Sequence, residues 1–470
     1  MTHHYMNRRV VILGAARQGK ALAHYMALHG AHVTLNDAQA RERVDLSDLA
    51  DVAGITTVFG GHPLELLDDC DLLCLSSGVP IDLPIVLEAR RRGVALSNDA
   101  QIFFEQCPAP IIGITGSAGK TTTTTLIGEM LRRHVAAPGP GSTATVWVGG
   151  NIGNPLIRDV ELMRSGDFAV MELSSFQLEL MTYSPHLACV TNVTPNHLDR
   201  HGTMEAYTAA KKHILDFQTA NDVRVLCADD AVTRTLAADV RNHVRTIWFS
   251  IEQEPAGEGA WLDEGGMLRV RIGALDGAIC HRCELQLMGA HNILNVLAAA
   301  AVCAVAGVGI DVLRAVAVEF RGVAHRLQML GEINGARYYD DSIATAPERL
   351  MAGLRAFESP VLLLCGGRDK YLPWEDAAAL MHARCRHIVL FGEMAPMVAG
   401  VLERVAASLG TAPRVQWTIV PHLADAFAFA RCIAGTGDVV LLSPGGTSFD
   451  EFKDFAERGN AFAALVRTNA

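Results

Sequence analysis

The run Gly113-Ile114-Thr115-Gly116-Ser117-Ala118-Gly119-Lys120-Thr121-Thr122 contains what is needed to cradle a triphosphate. Glycines let backbone N–H groups approach phosphate oxygens, Lys120 supplies a point charge, and the Thr121 hydroxyl can reach a magnesium ion. The commonest phosphate-loop spacing wants a glycine where Ile114 stands, and here Gly113 and Gly116 lie on either side of it. The plain alternative is a glycine-rich turn carrying a solvated lysine. The run follows the apolar Ile111-Ile112 and precedes a helix predicted over Leu126 to Arg133. Thr122 to Thr125 are poor helix formers, so packing or ligand must hold the start of that helix.

Other polar groups stand just after apolar, strand-like runs. Glu172 follows Phe168 to Met171, and as an oxygen donor it is a candidate magnesium ligand beside Thr121. Asn192 to Asp199, including His197, follows Leu187 to Val190. Imidazole is a softer ligand than magnesium prefers, and a lone histidine is more often a hydrogen-bonded structural group. Lys211 falls on a predicted helix and by pattern alone is a surface lysine.

The elements that must position these groups fall into three segments. The first, 1–98, opens strand–turn–helix–strand, with Gly14-Ala15-Ala16-Arg17-Gln18-Gly19 in the turn. Ala16 occupies the middle glycine position of a dinucleotide fingerprint, which disfavours a dinucleotide. A diphosphate could still sit at the helix N-terminus with Arg17 as counter-charge, and Ser77 and Gly78 follow a second strand at the same ligand-binding edge. The second segment, 99–322, carries the triphosphate loop. The third, 323–470, alternates strands and helices again. Thr345 to Glu348 reads as a capping box with Pro347 at the first helical position. The expected fold is therefore α/β, three Rossmann-like domains, the central one a P-loop-type ATP-binding domain.

Bulk properties agree. The 470 residues exceed what one core usually holds and suit about three domains. Net charge is −11 from 40 basic and 51 acidic residues, and no basic cluster marks a nucleic-acid site. The 11 cysteines are scattered without a framework, and Cys280-His281-Arg282-Cys283 has no second half to complete a zinc site. No signal-peptide pattern and no span-length apolar run is present; Val296 to Ile310 reads as a buried helix. A cytoplasmic protein that avoids membranes and nucleic acid is expected.

Taken in order, the runs GITGSAGKTT, GGNIGNP, ELSSFQLE, NVTPNHLDRHG, YTAAK, GAHNILNVLAA, HR, DDSIATAPE, GGRDK and LLSPGGTSFDEFKDFAERG resemble the Mur ligase family over nearly the whole chain. HLDRHG together with SFDEFKDFAERG resembles its glutamate-adding branch. That resemblance implies ATP-dependent ligation of glutamate, most simply D-glutamate, to UDP-N-acetylmuramoyl-L-alanine through an acyl phosphate, in a monomer. It implies that Gly116, Ser117, Gly119, Lys120, Thr121 and Thr122 hold the phosphates of ATP. Thr121, Glu172, His197 and a carbamylated Lys211 would hold two magnesium ions, with Lys120, Glu172, His197 and Lys211 catalytic. Asn151 would lie near nucleotide and substrate. Asn295, Arg326 and Asp341 would take the adenine–ribose end, and Thr345, Lys370, Ser448 and Phe455 the incoming glutamate. Two departures touch that last pocket. Ile343 and Ala346 stand where the family has lysine and asparagine, and Gly445-Gly446-Thr447 stands for Ala-Cys-Ala. L-glutamate therefore stays open as the amino acid joined, and so does a non-catalytic nucleotide-binding regulator.

Overall fold

The computed structural model describes residues 5–136, 143–238, 244–287, 289–408 and 415–469, and the elements below are counted among them. The chain divides into two compact units, Met1–Phe320 and Arg321–Ala470.

The first unit carries two sheets. One is fully parallel and comprises β1 (Arg9–Leu13), β2 (His32–Asp37), β3 (Ile55–Phe59), β4 (Leu72–Leu75) and β5 (Ala95–Ser97), in the order β3-β2-β1-β4-β5. The other comprises β6 (Ile111–Thr115), β7 (Val146–Gly150), β8 (Phe168–Glu172), β9 (Leu187–Val190), β10 (Val223–Cys227), β11 (Arg245–Ser250), β12 (Gly259–Leu262), β13 (Met267–Ile272) and β14 (Leu275–His281). Its order is β14-β13-β12-β11-β10-β9-β6-β8-β7, and only β12 to β14 pair antiparallel. Every residue of β6 is buried, as expected for a strand covered on both faces. Because β6 runs between β9 and β8, its carboxyl end is a topological switch point, where open α/β sheets bind ligands.

The helix Lys120–Val135 starts at the loop itself, six residues before the propensity-based expectation. Tertiary packing overrides the weak threonine propensities. Thr123, Thr124, Leu126, Ile127, Met130 and Leu131 are fully buried, and the helix packs on the helix Ala290–Val305. Burial of each large apolar side chain contributes about 1.5–3 kcal/mol, against a few tenths lost per threonine. Val296 to Cys303 of the partner helix are almost completely buried, which accounts for its apolar run.

The second unit is built on β15 (Gln328–Ile333), β16 (Ala336–Asp340), β17 (Val361–Gly366), β18 (Cys385–Phe391), β19 (Gln416–Ile419) and β20 (Val439–Gly445), ordered β15-β16-β20-β17-β18-β19. All but β15 are parallel. The expected capping box does not form. The helix Pro347–Arg355 does begin at the proline, but Ala346 is its cap and gives no side-chain cap bond. The Thr345 hydroxyl instead accepts from Lys370 Nζ at 3.0 Å.

Candidate active site

The loop after β6 is held from below by the residues after β9. Ser117 N donates to Asn192 O (2.9 Å), Ala118 N donates to Asn192 Oδ1 (3.0 Å), and Thr191 Oγ1 donates to Ala118 O (2.7 Å). Ile114 lies inside β6, so the glycines on either side serve different ends. Gly119 turns at φ +83°, and a Cβ there would stand 2.2 Å from Asn295 Oδ1. A side chain is excluded both by the left-handed backbone and by that approach. Asn295 therefore sits against the phosphate loop. Lys120 Nζ folds back on Gly116 O (2.8 Å) and Ser117 O (3.2 Å). Thr122 follows Thr121 in the first turn of the helix.

Register brings the acid to the hydroxyl. Ile114 pairs with Glu172 across β6 and β8, and Gly150 pairs with Glu172 across β7 and β8. Glu172 is almost fully buried; its Oε2 accepts from Thr121 Oγ1 and its Oε1 from Asn151 Nδ2, each at 2.8 Å. Carboxylate, hydroxyl and amide oxygens are hard donors. Among the described residues no three histidine, cysteine or acidic side chains gather into a metal cage. That donor set fits magnesium carried in with nucleotide phosphates, because magnesium keeps water and phosphate ligands rather than a full protein shell.

Lys211 is not a surface lysine. It is 1% exposed on the helix Met204–Asp216, and its Nζ donates to Gly116 O (2.8 Å) and lies 3.3 Å from Thr115 Oγ1. Burial, reinforced by Lys120, lowers its pKa well below the usual lysine range, while Glu172 opposes this. The shift favours loss of the proton, and the unprotonated amine is the form that reacts with CO₂. His197 lies at the start of the short helix Leu198–His201 with φ +52°, exposed, its ring 5.2 Å from that of Phe176.

At the end of β1, Gly14 turns at φ +94°, and a Cβ on Gly19 would stand 1.8 Å from Gly14 O, so the two retained fingerprint glycines let strand and helix pack closely. Arg17 begins the helix Arg17–Leu28, and Ser77 Oγ donates to Gln18 Oε1 at 3.0 Å. Gly78, in the loop after β4, accepts a hydrogen bond from Arg200 through its carbonyl.

In the second unit Asp341 is buried at the end of β16. It accepts from Ser443 Oγ (2.9 Å) and Leu327 N (3.3 Å), and burial raises its pKa to about 7. Arg326 is near enough to oppose that rise. Lys370 and Thr345 are joined as above. Ser448 is buried, and Phe455 lies edge-on to His325 with ring centroids 6.2 Å apart. Arg458, given no role in the sequence reading, is completely buried. Its guanidinium donates to Ser342 Oγ and O, Gly446 O and Thr447 O. It ties together the two loops in which the departures lie. An arginine inside a helix otherwise apolar on that face was the available signal. The glycine departure has a steric reason as well. Gly445 has φ +71°, and a Cβ there would be 2.5 Å from Trp374 Cη2; one on Gly446 would be 2.5 Å from Met394 Sδ. Trp374 and Met394 occupy the space that larger residues would take.

A largely parallel sheet in which an interior strand ends in a Gly-Lys-Thr loop beside a buried carboxylate defines an α/β nucleotide-binding protein. Residues 114–303 match the Mur ligase middle domain, and 325–446 the Mur ligase glutamate ligase domain. The UDP-N-acetylmuramoylalanine–D-glutamate ligase of Symbiobacterium thermophilum is 40% identical over 98% of this chain and 98% of its own length. The enzyme of that name from Acetivibrio thermocellus is 39% identical over 98% and 97%. Among solved structures, UDP-N-acetylmuramate–alanine ligase from Thermotoga maritima shares the fold with a TM-score of 0.51, at 20% identity over 98% of this chain and 100% of that one. The chain belongs to the Mur ligase family, ATP-dependent enzymes that form amide bonds.

Proposed function

We propose that the protein joins D-glutamate to UDP-N-acetylmuramoyl-L-alanine in the cytoplasmic stage of peptidoglycan synthesis. The reaction class rests on one observation, the Thr121–Glu172–Asn151 cluster beside Lys120 at the phosphate loop. The choice of substrates rests on the names of relatives that match end to end.

In this reading residues 1–98 hold the UDP end, with Arg17, Ser77 and Gly78 at the diphosphate. Residues 99–322 hold ATP, and residues 323–470 hold glutamate. A carboxylate oxygen of the UDP-linked substrate attacks the γ-phosphorus and ADP leaves. The glutamate amine then attacks the acyl carbon, loses a proton, and phosphate leaves. Magnesium supplies charge neutralisation for the phosphates. Lys120 and the loop N–H groups orient the γ-phosphate, since phosphoryl transfer needs alignment and electrostatic support more than covalent help. Thr121 and Glu172 would hold one ion, and His197 with carbamylated Lys211 a second. Carbamylation would place an anion on Lys211, whose amine lies 2.8 Å from Gly116 O. Lys370, with the Thr345 and Ser448 hydroxyls, receives the dicarboxylate, and Phe455 forms part of the pocket. The protein works as a monomer.

L-glutamate is the second reading, because the Ile343 and Gly445-Gly446 departures fall on the segments assigned to the amino-acid pocket. Phosphate release from ATP, assayed with UDP-N-acetylmuramoyl-L-alanine and either enantiomer, separates the two. Turnover is expected only with all substrates present and with D-glutamate. Preference for L-glutamate would move the assignment, and strong ATP hydrolysis without amino acid would count against a coupled ligase.

A further inference from the structure

Arg200 lies three residues beyond His197, and its guanidinium donates to Val79 O at 2.6 Å and to Gly78 O at 3.3 Å. Those carbonyls belong to the loop after β4, on the other sheet of the same unit. The guanidinium also stands 4.7 Å from the centroid of the Phe176 ring. His201 stacks on that ring at 5.2 Å with an interplanar angle of 7°, and His197 meets it edge-on. His201 Nε2 is 2.9 Å from Ser175 Oγ, and its ring is 5.2 Å from that of Tyr207. The Tyr207 hydroxyl is 3.0 Å from Ser117 Oγ in the phosphate loop. A continuous chain of contacts thus runs from Gly78 and Val79 through Arg200, Phe176, His201 and Tyr207 to the phosphate loop.

Arginine suits this place because one planar group can stack on a ring and send two N–H donors to adjacent carbonyls. A carbonyl pair fixed by a charged donor is ordered before any ligand arrives. We propose that Arg200 is a positioning residue that holds the 76–80 loop in register with the 194–201 segment, so that the carboxylate of the UDP-linked substrate is delivered in line with the phosphate loop. This rests on the ligation proposed above. Without Arg200 the loop would have to be ordered by the substrate itself, which weakens binding of that substrate alone. Once the substrate is bound, the chemistry at Lys120 and Glu172 is unaltered, so the loss falls on KM rather than kcat.

The test uses the full chain with Arg200→Met and Arg200→Lys. In Arg200→Met, KM for UDP-N-acetylmuramoyl-L-alanine should rise about tenfold, the loss expected for charge-assisted bonds. KM for ATP and for glutamate should stay within about twofold and kcat within about threefold. Arg200→Lys should recover part of the loss, because a cation over Phe176 and one carbonyl bond persist. An unchanged KM for the UDP substrate, or equal rises for all substrates, would overturn the proposal. Amide hydrogen exchange of the free protein gives a reading independent of turnover: exchange at 76–80 should accelerate about tenfold in Arg200→Met while 113–121 stays as it was. Equal exchange in the two proteins would also overturn it. A wild-type enzyme that fails to turn over the UDP substrate would instead refute the ligation, and the exchange comparison would still decide the role of Arg200.

Discussion

Replacing Asp341 with asparagine should stabilise the second unit at pH 8 and leave its stability nearly unchanged at pH 4. Asp341 is 5% exposed, and burial raises its pKa from 3.8 to about 7 against the opposing Ser443, Leu327 and Arg326 contacts. Below pH 4 the carboxyl is protonated in both folded and unfolded chains. As pH rises, the unfolded chain ionises first, so the stabilising proton preference of the folded state is lost between about pH 4 and pH 7. The gap is worth about 4 kcal/mol at roughly 1.4 kcal/mol per pKa unit. Asparagine has nearly the same shape; its carbonyl oxygen can take the place of the Oδ1 that accepts from Leu327 N–H, and its amide can donate to Ser443 Oγ in place of the Oδ2 that accepts there. At pH 8 the variant should therefore gain up to about 4 kcal/mol, on the order of 10 °C in Tm for a unit this size. Thermal unfolding of the full chain, with hydrogen exchange at β16 and β20 to isolate the second unit, measures it across pH 4 to 8. A difference independent of pH, or a variant less stable at pH 8, would refute the electrostatic reasoning.

Gly119→Ala should weaken ATP binding at least about tenfold by calorimetric titration, because its Cβ would meet Asn295 at 2.2 Å on a left-handed backbone. Unchanged affinity would mean that the loop adapts. Gly445→Ala, which moves the loop toward the family's residue, should destabilise the fold by about 1–3 kcal/mol through the clash with Trp374, read as a fall in Tm, rather than restore anything. Pairing it with Trp374→Phe should recover part of that loss, and additive effects would dissociate the two positions. Lys211→Ala should lose at least about a hundredfold in kcat and regain part of it with short carboxylates that stand in for a carbamate. Normal turnover in that variant would remove the carbamate from the mechanism.

Much of the site was legible because it is local. The strand, glycines, Lys120 and Thr121 are contiguous, and polar residues after apolar strands identified Glu172 correctly as a neighbour of Thr121. The order of the motifs along the chain carried the family. What was not legible depended on distant partners. Lys211 read as a surface residue because a helical pattern cannot show that its outward neighbour is the phosphate loop. The Thr345 capping box failed because Lys370, far along the chain, took the hydroxyl. The helix after the loop began earlier than threonine propensities allow because the helix Ala290–Val305 buries it. Arg458 and Arg200 went without a role because an arginine's meaning lies in the carbonyls it reaches.

By itself, then, the sequence determined triphosphate binding and the family, since phosphate binding needs a contiguous run of glycines, a lysine and a hydroxyl, and the family motifs keep their order along the chain. Tertiary structure alone decided which groups are buried, and so which are electrostatically altered. Pairing of β6 with β8 and β9 brings Glu172, Thr191 and Asn192 to the loop, and the dry space it creates lowers the pKa of Lys211. Charge and burial depend on what closes over a side chain from elsewhere in the chain, and no local pattern carries that information.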